Sequence, residues 1–183
     1  MGYDVLIVHG SFGDPFGNWQ PWLFQEATKR GKHVLCPHFP GPEEQSLDSW
    51  TRTLNSYREY LSDDLIVFAH SLGPAFVLDY CVQNSLNVRK FVGVVPFYDL
   101  IDIEEFDKIN SSFFVPEIDL TRFKALCPDR NSIYSDNDPY VPRSHCEKLS
   151  ELIDAKTHVV SGGGHLNTGA GFTEFPLLLD YID

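Results

Sequence analysis

Short apolar runs punctuate the chain at Val5–Val8, Val34–Cys36, Leu65–Ala69, Phe91–Val95, Ile133–Tyr134 and Val159–Val160. Runs that are apolar at successive positions fit strands buried on both faces, as in a parallel sheet covered by helices. Between them the period changes. Trp50, Leu54, Tyr57 and Leu61 recur at the spacing of one face of a helix, with Ser46 and Asp48 ahead of them as capping candidates. Trp19, Leu23 and Ala27 make a second stripe that closes on Lys29, Arg30 and Gly31, cations for the last turn and then a glycine for a left-handed cap. Cys146, Leu149 and Leu152 make a third, and Ala75–Val82 is apolar on nearly every side, which predicts a helix buried against the sheet. Strand and helix alternate six times without internal repeat or low-complexity linker. The pattern predicts one α/β domain over residues 1–183, with a mainly parallel six-stranded sheet, right-handed crossovers and no room for a cap domain.

In such sheets ligands bind beyond the carboxyl ends of the strands, so the loops after the apolar runs are where chemistry is expected. After the third run the chain reads Ala69-His70-Ser71-Leu72-Gly73 and passes directly into the buried helix. This is close to the G-x-S-x-G nucleophile elbow, with Ala69 in place of the first glycine. The elbow strains its serine into a turn that lifts the hydroxyl above the sheet. The competing reading is a plain helix cap, a role serine also favours.

A serine hydroxyl is a weak nucleophile and needs a base, itself oriented by a carboxylate. His70 adjoins Ser71 and is expected to point away from it, His158 lies within a strand, and His145 lies on a surface helix. His9 and His38 read as shaping residues. His165, in Ser161-Gly162-Gly163-Gly164-His165, falls just past the last strand, where three glycines allow the loop to fold back. After the fifth run, Asp136 and Asp138 compete as the orienting carboxylate. Asp136 suits a turn-holding role, whereas Pro139 keeps Asp138 extended and favours it as the residue that reaches the histidine. The order Ser71, Asp138, His165 is that of α/β-hydrolases. Oxyanion donors are expected from the backbone N–H of Leu72 and, in the His9-Gly10-Ser11-Phe12-Gly13 loop, of Ser11 or Phe12.

Composition narrows the partners. The 183 residues carry a formal net charge of −12, which disfavours sequence-independent binding to nucleic acid and to anionic membranes. Neither a dinucleotide fingerprint nor a P-loop occurs, and no metal-ligand spacing is present, so neither cofactor nor metal is expected. Cys36, Cys81, Cys127 and Cys146 are far apart, as in a reducing compartment, and no signal peptide or membrane span is evident. The expectation is a soluble cytoplasmic protein. Its oligomeric state stays open, and a monomer is compatible.

Taken with the length, the His-Ser-x-Gly elbow, the tryptophan of the first helix, Asp138-Pro139 followed by Val141-Pro142, and the Gly-Gly-His run, the chain resembles the small serine hydrolases of the retinoblastoma-binding protein 9 and YdeN type in the α/β-hydrolase superfamily. The resemblance covers nearly the whole chain. It implies a lidless hydrolase with catalytic Ser71, Asp138 and His165, and supports Asp138 over Asp136. Retinoblastoma-protein binding is not carried over, because none of the four cysteines lies in a Leu-x-Cys-x-Glu frame.

The expected activity is hydrolysis of small ester, thioester or amide bonds through an acyl-enzyme, carboxylesterase-like rather than peptidase. The alternative is a hydrolase fold retained as a protein-binding module. Phe12, Trp19, Phe97 and Tyr98 are the candidate acyl-pocket residues. Tyr98–Asp119 reads as one long irregular loop that holds seven acidic residues against Lys108 alone, half of the net charge. Following the fourth strand, it is expected to rim the site and to disfavour anionic substrates.

Overall fold

The computed structural model describes residues 2–114 and 117–183. Six parallel strands, β1 (Tyr3–Val8), β2 (Val34–Leu35), β3 (Leu61–His70), β4 (Lys90–Val94), β5 (Asp129–Ser135) and β6 (Lys156–Val160), form one sheet in the order β2-β1-β3-β4-β5-β6. The helices are α1 (Gln20–Lys29), α2 (Leu47–Asn55), α3 (Gly73–Asn84), α4 (Glu104–Asn110), α5 (Leu120–Leu126) and α6 (Arg143–Leu152). From β1 the chain goes outward to β2 and then returns past β1 to β3. The direction of winding therefore reverses between β1 and β3, and a crevice opens beyond their carboxyl ends. The register pairs Val8 with Ala69, His70 with Val94, and Ser135 with Val160. These pairings bring the loops after β1, β3, β5 and β6 to one edge of the sheet.

The central strands are buried throughout the segments that sequence marked as apolar, and α3 is buried at ten of its 12 positions. Gly31 takes the left-handed conformation (φ 79°) expected after α1. Ser46 caps α2 reciprocally: its Oγ accepts from Ser49 N–H and Ser49 Oγ accepts from Ser46 N–H, each at 3.1 Å. Beneath the β1 loop, Trp50 stacks on Phe39 (ring centroids 4.8 Å) and meets Phe76 and Phe113 edge-on. Full burial of one such side chain contributes about 2–3 kcal/mol, so this cluster anchors the loop above it.

Three expectations are corrected. The Trp50–Leu61 stripe is not one helix: α2 ends at Asn55, a 3-10 turn spans Arg58–Tyr60, and Leu61 opens β3 opposite Tyr3. The chain has to turn there to enter the sheet. β6 is an exposed edge strand rather than a buried one, with Val159 41% exposed. Tyr98–Asp119 is not irregular, since α4 and a 3-10 turn at Ser111–Phe113 occupy its middle; Val115 and Pro116 of this stretch lie outside the described residues.

Candidate active site

The turn from β3 into α3 places Ser71 at φ 56°, left-handed backbone that a non-glycine residue rarely adopts. Its N–H donates to Val94 O at 2.9 Å, and α3 is capped by no side chain. Ser71 is therefore not a helix cap. The elbow is close-packed on both sides. A Cβ at Gly10 would stand 2.8 Å from Ser71 Cβ, and one at Gly73 would stand 3.0 Å from His9 O and 3.1 Å from Val8 O. Only glycine allows β1, β3 and α3 to approach this closely.

The glycine loop after β6 is held at successive positions. Asp136 accepts from Ser161 Oγ–H (2.9 Å) and Gly162 N–H (2.7 Å), and Asn137 Oδ1 accepts from Gly164 N–H (2.8 Å). Ser135 Oγ–H donates to Gly164 O. From the other side of the site, His70 Nε2–H donates to His165 O (3.1 Å) and Trp19 Nε1–H to Leu166 O (3.1 Å). Burial pushes the His70 imidazole down to about 3, so it is a neutral donor with a fixed tautomer.

With its backbone so fixed, His165 turns Nδ1 to Asp138 Oδ2 at 2.7 Å, in a pair whose side chains are 11% and 3% exposed. Asp138 Oδ1 in turn accepts from Tyr140 N–H (2.8 Å) and Val141 N–H (3.0 Å). The two carboxylates have divided the work: Asp136 binds the loop backbone and Asp138 binds the imidazole. A carboxylate on Nδ1 fixes the proton there and leaves the Nε2 lone pair available as a base.

Ser71 and His165 both line one cavity of about 280 Å³, together with Ser11, Phe12, Ile101, Ile103, Phe106, Tyr140, Val141 and Asn167. Tyr140 stands edge-on to the His165 ring, with centroids 5.2 Å apart. The Leu72 N–H lies at the N-terminal end of α3, where the helix contributes positive potential. Neither it nor the Ser11 N–H donates to another group among the described residues. The Phe12 N–H, by contrast, donates to Gln45 Oε1 at 3.2 Å. The β1 loop itself is braced by His9, whose Nδ1–H donates to Gly10 O (2.8 Å) and whose Nε2 accepts from Phe39 N–H (3.1 Å). Burial holds that imidazole below its ordinary range.

Of the four aromatic residues expected in an acyl pocket, Phe12 alone lines the cavity. Trp19 is fully buried under the histidine loop. Phe97 is fully buried against Phe106 and Phe114. Tyr98 borders a separate crevice with Asp99 and Lys148. The apolar wall comes instead from Ile101, Ile103 and Phe106, which alternate with carboxylates in the acidic stretch. Their apolar spacing was visible in sequence, but the charge around them obscured it.

The chain belongs to the serine hydrolase family, which matches residues 5–183. Among similar proteins, it is 28% identical over 187 residues to the putative hydrolase YdeN of Bacillus subtilis (strain 168), covering 100% of this chain and 95% of that one. It is 20% identical over 181 residues to the serine hydrolase RBBP9 of Rattus norvegicus, covering 97% and 92% of the two chains. The crystal structure of the ydeN gene product superposes with a TM-score of 0.88 at 27% identity, over 98% of this chain and 96% of that one. The molecule is thus a YdeN/RBBP9-like serine hydrolase with an α/β-hydrolase fold.

Proposed function

We propose that the protein hydrolyses small, uncharged carboxylic esters, and by the same chemistry thioesters or amides, through an acyl-enzyme on Ser71. His165 Nε2 takes the Ser71 hydroxyl proton as Oγ bonds to the acyl carbon. The negative charge that develops on the acyl oxygen is received by the N–H groups of Leu72 and Ser11. Collapse of the tetrahedral intermediate expels the leaving alcohol, which takes the proton from His165. Water then repeats the sequence, giving its proton to His165 and releasing the acid as Ser71 recovers a proton. Asp138 holds the imidazole in the Nδ1–H tautomer and stabilises the imidazolium between these transfers.

The observation that carries this reading is the 2.7 Å contact from His165 to a nearly buried Asp138, on the same cavity as a left-handed Ser71. The wall supports an uncharged substrate: six of the lining side chains are apolar or aromatic and none is a lysine or arginine. A cavity of about 280 Å³ suits a short acyl group better than a polypeptide. Four free cysteines and the absence, among the described residues, of a helix able to cross a membrane support a cytoplasmic setting. A panel of p-nitrophenyl acyl esters of rising chain length tests the reading. Short neutral acyl groups are expected to be turned over fastest, and Ser71→Ala is expected to lose at least ~10³ in kcat. Folded wild-type protein that turns over no member of the panel would overturn it.

A further inference from the structure

Three neutral side chains from separate parts of the sequence close a hydrogen-bonded ring behind the β1 loop. Gln45 precedes α2, Ser11 follows β1, and Asn110 ends α4. Because Gln45 Oε1 accepts from Phe12 N–H (3.2 Å), its Nε2 faces the other way, donating to Ser11 Oγ (2.6 Å) and Asn110 Oδ1 (2.5 Å). Ser11 Oγ–H donates to the same Asn110 Oδ1 at 3.0 Å. The Asn110 Nδ2–H donates to Phe106 O (2.8 Å) one helical turn back, which fixes the orientation of that amide. Asn110 is fully buried and Gln45 is 7% exposed. A polar cluster this enclosed is stable only when its members satisfy one another.

The ring touches both halves of the cavity. On one side it takes up the Phe12 N–H and holds Phe12 at φ 57°, in left-handed backbone. The Ser11 N–H, which donates to no other group among the described residues, stays free beside the cavity that Ser11 and Ser71 both line. On the other side it fastens α4, whose Phe106, with Ile101 and Ile103 just before the helix, forms the apolar wall. At seven residues, α4 is too short to hold a position by its own hydrogen bonds.

We infer that Gln45 and Asn110 are positioning residues that lock the oxyanion loop and the α4 wall into one unit, so that acyl-chain selectivity and oxyanion stabilisation are set together. Neither touches the reacting atoms. They act by choosing which N–H faces Ser71 and how far Phe106 stands from it. This inference rests on the acyl-enzyme reading for its effect on rate, and on the hydrogen-bonded ring alone for its effect on order.

The test uses Gln45→Leu, Asn110→Leu and the isosteric Gln45→Glu, which keeps the acceptor for Phe12 N–H but removes both Nε2 donations. Each is measured on the same ester series and by amide hydrogen exchange. Removing the ring is expected to lower kcat for the shortest ester by ~10–100-fold, the cost of a misplaced oxyanion donor, with KM changed less than threefold or so. Longer acyl chains are expected to gain relative to short ones as the wall moves away. The double variant Gln45→Leu/Asn110→Leu is expected to be no worse than the poorer single variant, because the two act as one unit. Exchange in peptides covering 9–14 and 101–112 is expected to rise together in every variant. A purely structural role predicts a lower melting temperature with an unaltered chain-length profile. Folded variants with that profile, or with exchange raised in one peptide alone, overturn the inference. Wild-type protein that is inert toward every ester would count against the acyl-enzyme reading, while the paired exchange still decides the coupling.

Discussion

Replacing Asp138 by asparagine changes two atoms' chemistry and almost nothing of their shape, and the structure dictates how the new amide must sit. Asp138 Oδ1 accepts from two backbone N–H groups, those of Tyr140 and Val141, at 2.8 and 3.0 Å. In Asp138→Asn the amide oxygen has to keep that position, since an NH₂ there would oppose two donors. The amide nitrogen is therefore turned to His165 Nδ1, now 2.7 Å from a carboxylate oxygen. Nδ1 becomes an acceptor, the ring proton moves to Nε2, and the base toward Ser71 is lost along with the charge that stabilises the imidazolium. The expected loss is ~10⁴ in kcat, or about 5.5 kcal/mol of barrier. KM should change little, because the acyl wall is untouched. The backbone contacts of Asp138 survive, so the melting temperature should fall by no more than about 3 °C for a chain of this size. Steady-state turnover of a short p-nitrophenyl ester and a thermal melt measure both. Asp136→Asn is the control: it weakens loop contacts and should cost under ~10-fold. A folded Asp138→Asn enzyme within tenfold of wild type, or an Asp136→Asn enzyme that loses more, refutes the assignment.

Other consequences follow from the packing and the charge. Gly10→Ala brings a Cβ to 2.8 Å from Ser71 Cβ and 3.2 Å from His70 O, so it should cost ~10²-fold or more in kcat and about 1–3 kcal/mol of stability, read by turnover and by denaturant melts. His70 is held neutral down to about 3, whereas in the unfolded chain it takes up a proton near pH 6.5. The unfolded state therefore binds the extra proton between those values, and stability falls as pH drops from about 6.5 toward 3. In His70→Gln that part of the acid slope should vanish; urea midpoints that fall as steeply below pH 6 as in the wild type would contradict it. A succinyl ester should be turned over more slowly than a matched neutral ester at low salt, and the gap should shrink in 0.5 M or so salt as the field of the α4 carboxylates is screened. Faster succinyl turnover would refute the role given to that charge.

Much of the fold could be read in the sequence, because β1, β3, β4 and β5 are buried along their apolar runs and α3 is buried nearly all round. Pro139 is the local signal that sets Asp138 apart from Asp136, and it is Asp138 that the fold brings to His165 Nδ1. What escaped depends on three-dimensional neighbours. Val159 lies in an edge strand, and its apolar side chain carries no mark of that. Tyr57 continues the helical stripe of Trp50 and Leu54, yet the chain turns there to bring Leu61 beside Tyr3. Aromatic residues near strand ends give no sign of which way they face, so Trp19 and Phe97 read like Phe12 although only Phe12 reaches the cavity. Gln45 and Asn110 stand 65 residues apart and belong to no motif. Their significance arises only where the fold buries two neutral amides against the same serine.

On the proposed mechanism, Ser71 becomes the acyl carrier because His165 and Asp138 activate it. Incubation with a fluorophosphonate, followed by peptide mapping of the adduct, tests this most directly, since the probe reports the nucleophile without any assumption about the natural substrate. One adduct is expected, on Ser71, absent from Ser71→Ala and formed at least ~10³ more slowly in His165→Ala. A folded protein that stays unmodified, or that carries the adduct on any other residue, would contradict it.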